Sequence, residues 1–117
     1  FNEEKKVITI STPGKNTVEI SDDDKHIKLT DQNKNEIVMN SSGISLSSAK
    51  DITLKAKGAI TIEATSKINA TAKQDVSLEG LNVKMEAKVS ATVKGNAKAE
   101  LLASGQTTVK GAMVMIN

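Results

Sequence analysis

The sequence contains no cysteine, no tryptophan and no tyrosine, and its single aromatic side chain is Phe1. Without cysteine there are neither disulfides nor thiolate metal sites. With His26 as the only histidine, there is no His-rich metal site and no catalytic arrangement that needs a second imidazole. Aromatic rings supply much of the burial in an ordinary domain of 117 residues, so this interior must be built from Ile, Val, Leu, Met and Ala. Arginine is also missing: all sixteen cations are lysines, set against fourteen carboxylates for a net charge of +2. A nucleic-acid binder clusters its cations and stacks bases on aromatics or grips guanine with arginine, and neither device is present. No apolar run approaches the roughly 18 residues of a membrane span. The N-terminus lacks a charged-then-apolar signal pattern, and Phe1 in place of an initiator Met reads as a piece of a longer chain.

What the sequence does have is a repeat. From Ile44 it falls into nine blocks: ISLSSAKD, ITLKAKGA, ITIEATSK, INATAKQD, the seven-residue VSLEGLN, then VKMEAKVS, ATVKGNAK, AELLASGQ and TTVKGAMV. Position one carries Ile44, Ile52, Ile60, Ile68, Val76, Val83, Ala91, Ala99 and Thr107. Position three carries Leu46, Leu54, Ile62, Ala70, Leu78, Met85, Val93, Leu101 and Val109. Position five is small in all nine blocks: Ser48, Ala56, Ala64, Ala72, Gly80, Ala87, Gly95, Ala103 and Gly111. Positions two and four are polar or charged except for Leu102.

Side chains alternate sides along an extended strand, so positions one, three and five face inward and two and four face water. The three remaining residues turn a corner, with Gly58, Gly105, Asn82 or Asp51 available to do so. The small fifth position implies that the inward side chain nearest each corner has little room, as at the vertex of a prism. Residues 83–103 also suit a helix by propensity, but their apolar positions keep the period of two inside the period of eight, and Gly95 interrupts them. Each block offers too few apolar groups for one chain to enclose. Three identical chains wound about one axis would bring their inward faces together and leave strand edges only at the ends. With strands about 4.8 Å apart, nine blocks make a shaft about 43 Å long.

Before Ile44 the alternation persists with longer turns. VITIS, VEIS, IKLT and IVMN read as four strands, separated by TPGKN, SDDDKH and DQNKNE. The expected fold is therefore all-β: an intertwined homotrimeric triple-stranded β-helix, or β-prism needle. Residues 1–43 form a strand-and-loop segment leading into it, and residues 44–117 form the octad shaft and its C-terminal tip. The expected trimer core is Ile44, Leu46, Ile52, Leu54, Ile60, Ile62, Ile68, Val76, Leu78, Val83, Met85, Val93, Leu101 and Val109.

Candidate chemistry is sparse. Asp22, Asp23 and Asp24 could offer oxygen ligands to Ca²⁺, but the spacing lacks the alternation and glycine of a calcium loop, so a solvated turn is the plainer reading. His26 has no evident nucleophile and reads as a surface-loop residue. Glu63, Glu79 and Glu86 stand at outward positions, where pairing with Lys55, Lys94 and other outward lysines of neighbouring strands is expected rather than glycoside hydrolysis. The threonines at position two (Thr53, Thr61, Thr92, Thr108) are too often interrupted for an ice-binding array. Met113 and Met115 read either as core fill or as an adaptable docking surface at the end of the coil. No catalytic, cofactor or metal residue is assigned, and an enzyme is not expected.

The run IVMNSSGISLSSAKDITLKAKGAITIEA closely resembles the C-terminal shaft of VgrG-type spikes of type VI secretion systems, related to the central spikes of contractile phage tails and injection systems. EISDDDKHIKLTDQNKNEIVM resembles the segment leading into such a shaft, and GQTTVKGAMVMIN resembles its end. The resemblance implies a rigid homotrimeric spike that punctures a target envelope. It also implies a PAAR-type cone protein, with effectors, seated on the blunt end at Met113, Val114, Met115, Ile116 and Asn117. Hub and tube proteins would attach through domains upstream. The spike would assemble in a bacterial cytoplasm and then be injected. Some phage spikes carry a His-x-His iron site at the apex; no His stands near this C-terminus, so the point would come from a partner. A trimeric adhesin or phage-fibre stalk that binds a surface ligand is the competing reading.

Overall fold

The computed structural model describes residues 1–117. They form two compact units, Phe1–Ala64 and Thr65–Asn117. The chain is all-β and has no helix, hence none long and apolar enough to cross a membrane.

In the first unit five strands form one antiparallel up-and-down sheet in chain order: β1 (Val7–Ser11), β2 (Thr17–Ser21), β3 (His26–Thr30), β4 (Glu36–Asn40) and β5 (Gly43–Ser47). The four strands expected before Ile44 are all present, with starts within one residue of the apolar pattern. The fifth consists of the first block of the repeat. Ile44 pairs with Met39 and Leu46 with Ile37, so block one is also the last strand of the sheet.

The turns explain the lengthened spacing. Lys6, Lys15, Lys25 and Lys34 all take positive φ (50°, 69°, 54° and 70°), each at the residue that returns the chain towards its next strand. A left-handed residue lets a short loop close with the twist of the flanking strands. Thr12 and Asp31 fold their side chains back on the loops they begin. Thr12 Oγ1 accepts from Asn16 N at 3.3 Å, and Asp31 Oδ1 accepts from Asn33 N and Asn35 N at 2.9 Å each. The last hairpin has the two-residue turn Ser41–Ser42, followed by Gly43 at φ 121°, a conformation that favours glycine over any side chain.

His26 corrects an expectation. It is the first residue of β3 rather than a loop residue, because left-handed Lys25 closes the turn before it.

Past Ser47 the chain runs in extended segments separated by backbone bends. These fall at Ala49–Lys50, Lys57–Gly58, Thr65–Ser66, Lys73–Gln74, Leu81, Lys88–Val89, Asn96–Ala97, Ser104–Gly105 and Ala112–Met113. Eight bends lie at positions six and seven of their blocks and the ninth, Leu81, at position six alone, and the one short interval belongs to the seven-residue block. The repeat in the sequence is thus a repeat in the backbone.

The small fifth position gains a local cause. A Cβ placed on Gly80 would come within 3.3 Å of the Asn82 carbonyl oxygen, and one on Gly111 within 3.1 Å of that of Met113. A Cβ on Gly95 would overlap the Lys98 carbonyl. In these blocks the corner folds back on the residue before it, so the chain's own backbone restricts the position.

Candidate functional site

Strand register sorts the sheet's side chains into two unlike faces. On one face the pairs Ile8–Ile20, Ile20–Ile27, Ile27–Met39 and Met39–Ile44 form a continuous cross-strand row. A second row runs Ile10–Val18–Leu29–Ile37–Leu46 beside it. The other face carries Thr9, Glu19, Lys28, Glu36, Ser45 and their polar neighbours, with Val7 and Val38 as its apolar members. Alternation in the sequence has placed ten apolar side chains side by side.

Nothing in the chain covers them. No hydrophobic residue is buried anywhere, and Ser21 is the one buried polar residue. A compact monomer of 12.4 kDa would expose about 6,100 Å² and its unfolded chain about 18,000 Å²; this chain exposes 12171 Å². It therefore keeps twice the surface of a self-sufficient domain. Surface in such excess, together with a continuous uncovered apolar face, marks an association face.

The two rows also lead into the repeat. Ile44 ends the first row and begins position one; Leu46 ends the second and begins position three. Ile52, Leu54, Ile60, Ile62, Ile68, Val76, Leu78, Val83, Met85, Val93, Leu101 and Val109 are all exposed within their own chain. Ile8, Ile10, Val18, Ile20, Ile27, Leu29, Ile37 and Met39 are also apolar and not buried, although the expected core began at Ile44. The period-two signal for them was present in VITIS, VEIS, IKLT and IVMN.

The end of the chain is apolar as well. After the bend at Ala112–Met113, Val114 is half exposed, while Met113, Met115 and Ile116 are more than three-quarters exposed. Asn117 closes this patch.

The charged groups show their own pairing. Glu86 Oε2 meets Lys84 Nζ at 3.1 Å, two residues away on the same side of one extended segment, and Glu100 meets Lys98 likewise. The expected pairing, with Lys55, Lys94 and other outward lysines, was across neighbouring strands; within one chain Glu86 meets the i,i+2 lysine of its own segment. These exposed contacts contribute little, about 0–1 kcal/mol each. Lys28 Nζ and Glu36 Oε1 lie 3.5 Å apart on the polar face of the sheet.

His26 Nε2 and Glu19 Oε1 are 2.6 Å apart, a contact that composition did not reveal. With Asp24 they bring three potential ligand atoms within 4.8 Å of one another. Lys5 shares the depression that holds Glu19 and Asp24, and Lys28 stands opposite Glu19 in register. Two ammonium groups therefore compete there with any cation. The run of three aspartates forms a turn, in which Asp24 N donates to Ser21 Oγ at 3.0 Å.

An all-β chain with no interior of its own and a continuous apolar face is a self-associating structural module. The family model for the phage baseplate V C-terminal trimerisation domain matches residues 7–117, starting at the first residue of β1. The chain belongs to this family, and it is a structural, spike-like component whose membership supports self-association as a homotrimer. No curated protein matches the sequence.

Proposed function

We propose that this chain is the shaft of a VgrG-type spike in a type VI secretion or related contractile injection machine. Three copies wind together with positions one and three on the axis, and the two apolar rows of each sheet turn towards the same axis. The observation that carries this reading is the pair of uncovered apolar rows, repeated at one phase, in a chain of a baseplate trimerisation family. Wound in this way, backbone groups find partners on neighbouring chains, and few loops remain to yield under load. The role is mechanical: contraction drives the shaft through an envelope, and the chain performs no chemistry. It assembles in a bacterial cytoplasm, joins hub and tube proteins through upstream domains, and leaves the cell when the machine fires.

The tip at Met113–Asn117 seats a PAAR-type cone protein, to which effectors attach. Met113, Met115 and Ile116 are exposed and Val114 half exposed, and methionines adapt readily to a partner's surface. Removal of Met113–Asn117 is expected to leave the trimer folded, at three times the shortened chain mass, while abolishing capture of a purified PAAR-type protein. Capture retained by the truncated shaft would refute the tip assignment.

A further inference from the structure

We propose that Asn35 is the positioning residue that starts the coil: its side chain holds the first corner of the repeat and so sets the direction in which the chain leaves the sheet. β5 ends at Ser47, where its ladder partner Glu36 begins β4. The next residues have no strand opposite them. Asn35, the last residue of the β3–β4 loop, fills that place with its side chain. Its Oδ1 accepts from Ala49 N at 2.9 Å and from Ser48 Oγ at 3.1 Å. The Ser48 hydroxyl has one proton for two acceptors, Asn35 Oδ1 and the Asp51 carbonyl oxygen 2.9 Å away, and it accepts from Lys50 N at 3.1 Å.

The amide has one workable orientation. Asn35 Nδ2 donates to Asp31 Oδ2 at 2.9 Å, and Asp31 Oδ1 accepts from Asn35 N at 2.9 Å. A carboxylate only accepts, so Nδ2 must face Asp31 and Oδ1 must face the corner, where Ala49 N can only donate. Asp31 thus aims Asn35, and Asn35 aims the corner. The β1–β2 loop adds to this network, with Gln32 N donating to Asn16 Oδ1 at 2.9 Å. No other corner of the repeat has a comparable set of side-chain bonds to a distant loop. This is the point where an antiparallel sheet becomes a coil of bends.

The consequence for assembly rests on the trimeric reading. Blocks that resemble one another can pair with the wrong neighbour at small cost, and a coil of three chains forms only if all three leave their sheets at the same residue and angle. The first corner is the only one that the sheet itself fixes.

The test compares the full chain with Asn35→Ala and Ser48→Ala by amide hydrogen exchange, sedimentation and refolding from denaturant. In Asn35→Ala, exchange at Ala49 and Lys50 is expected to rise about tenfold, with β2 and β3 unchanged and trimer recovery slowed several-fold. Ser48→Ala, which leaves the Ala49 bond in place, is expected to show a smaller change. Unaltered exchange at Ala49, or equal loosening across the whole sheet, would overturn the proposal. An unchanged refolding rate with a loosened corner would overturn its role in assembly. A wild-type chain that never trimerises would refute the trimeric reading instead, and exchange at Ala49 would still decide whether Asn35 holds the corner.

Discussion

The sheet and the repeat leave different needs unmet. Between Val7 and Ser47 four antiparallel pairings satisfy the ladder within one chain, and the loops close with bonds such as Thr12 N to Asn16 O at 3.0 Å. Beyond Asp51 the chain makes no backbone–backbone hydrogen bond with itself. Its intrachain polar contacts there are Gln106–Thr108 and the two lysine–glutamate pairs. The sheet therefore needs other chains to cover one apolar face and to meet the open outer edges of β1 and β5. The repeat needs them for its apolar positions and its strand ladder together. Association completes the first region and creates the second.

The largest effect is expected from a charge on the repeat's inward face. Ile62→Asp would put three carboxylates into one layer of the shaft, at about 3–5 kcal/mol for each unpaired buried charge. Its native mass should fall to that of one chain. Leu29→Ala, in the second apolar row of the sheet, removes packing but leaves the ladder intact. It is expected to cost about 2–4 kcal/mol per chain and to lower the unfolding midpoint without abolishing the trimer. If the sheet variant dissociated as readily as the repeat variant, the contrast between the regions would be lost.

The regularity of the coil was legible because a fixed period imprints every block. Nine small residues at position five coincide with nine bends just after them. The strands before Ile44 were legible from alternation, and their turns from composition. His26 was misplaced because turn composition runs on through it, and only the left-handed Lys25 shows where the loop closes. The dual role of Gly43–Ser47 was hidden, since a block of a repeat and an edge strand read alike. Asn35 was illegible for another reason: its contacts with Ser48 and Ala49 span thirteen and fourteen residues, and no local pattern carries them. The pairing of Glu86 with Lys84 follows from extended geometry, which places i and i+2 on one side.

Acid sharpens the comparison from the sheet's side. The backbone N–H of Asn35, followed by its side-chain amide, holds Asp31 below its ordinary value of 3.8. Folding therefore favours the ionised form, and its contribution is present above the unfolded value and lost as pH falls through the lower folded one. Thermal unfolding followed from pH 7 downward should show a loss below about pH 4 that is smaller in Asp31→Asn. An identical acid loss in both chains would remove Asp31 from the network.

The smallest expected effect is at the left-handed turns. Lys34→Gly relieves a positive φ of 70° and should raise stability by about 0.5 kcal/mol, read as a small rise in unfolding midpoint. A decrease would mean that the lysine side chain contributes more than its backbone conformation costs.

Sedimentation equilibrium of the full chain, at several concentrations and with far-ultraviolet circular dichroism on the same samples, tests the central claim most directly. A single β-rich species near three times 12.4 kDa, about 37 kDa, is the expected result. A folded, β-rich monomer of 12.4 kDa would contradict it, because one chain would then be covering the apolar rows that this structure leaves open.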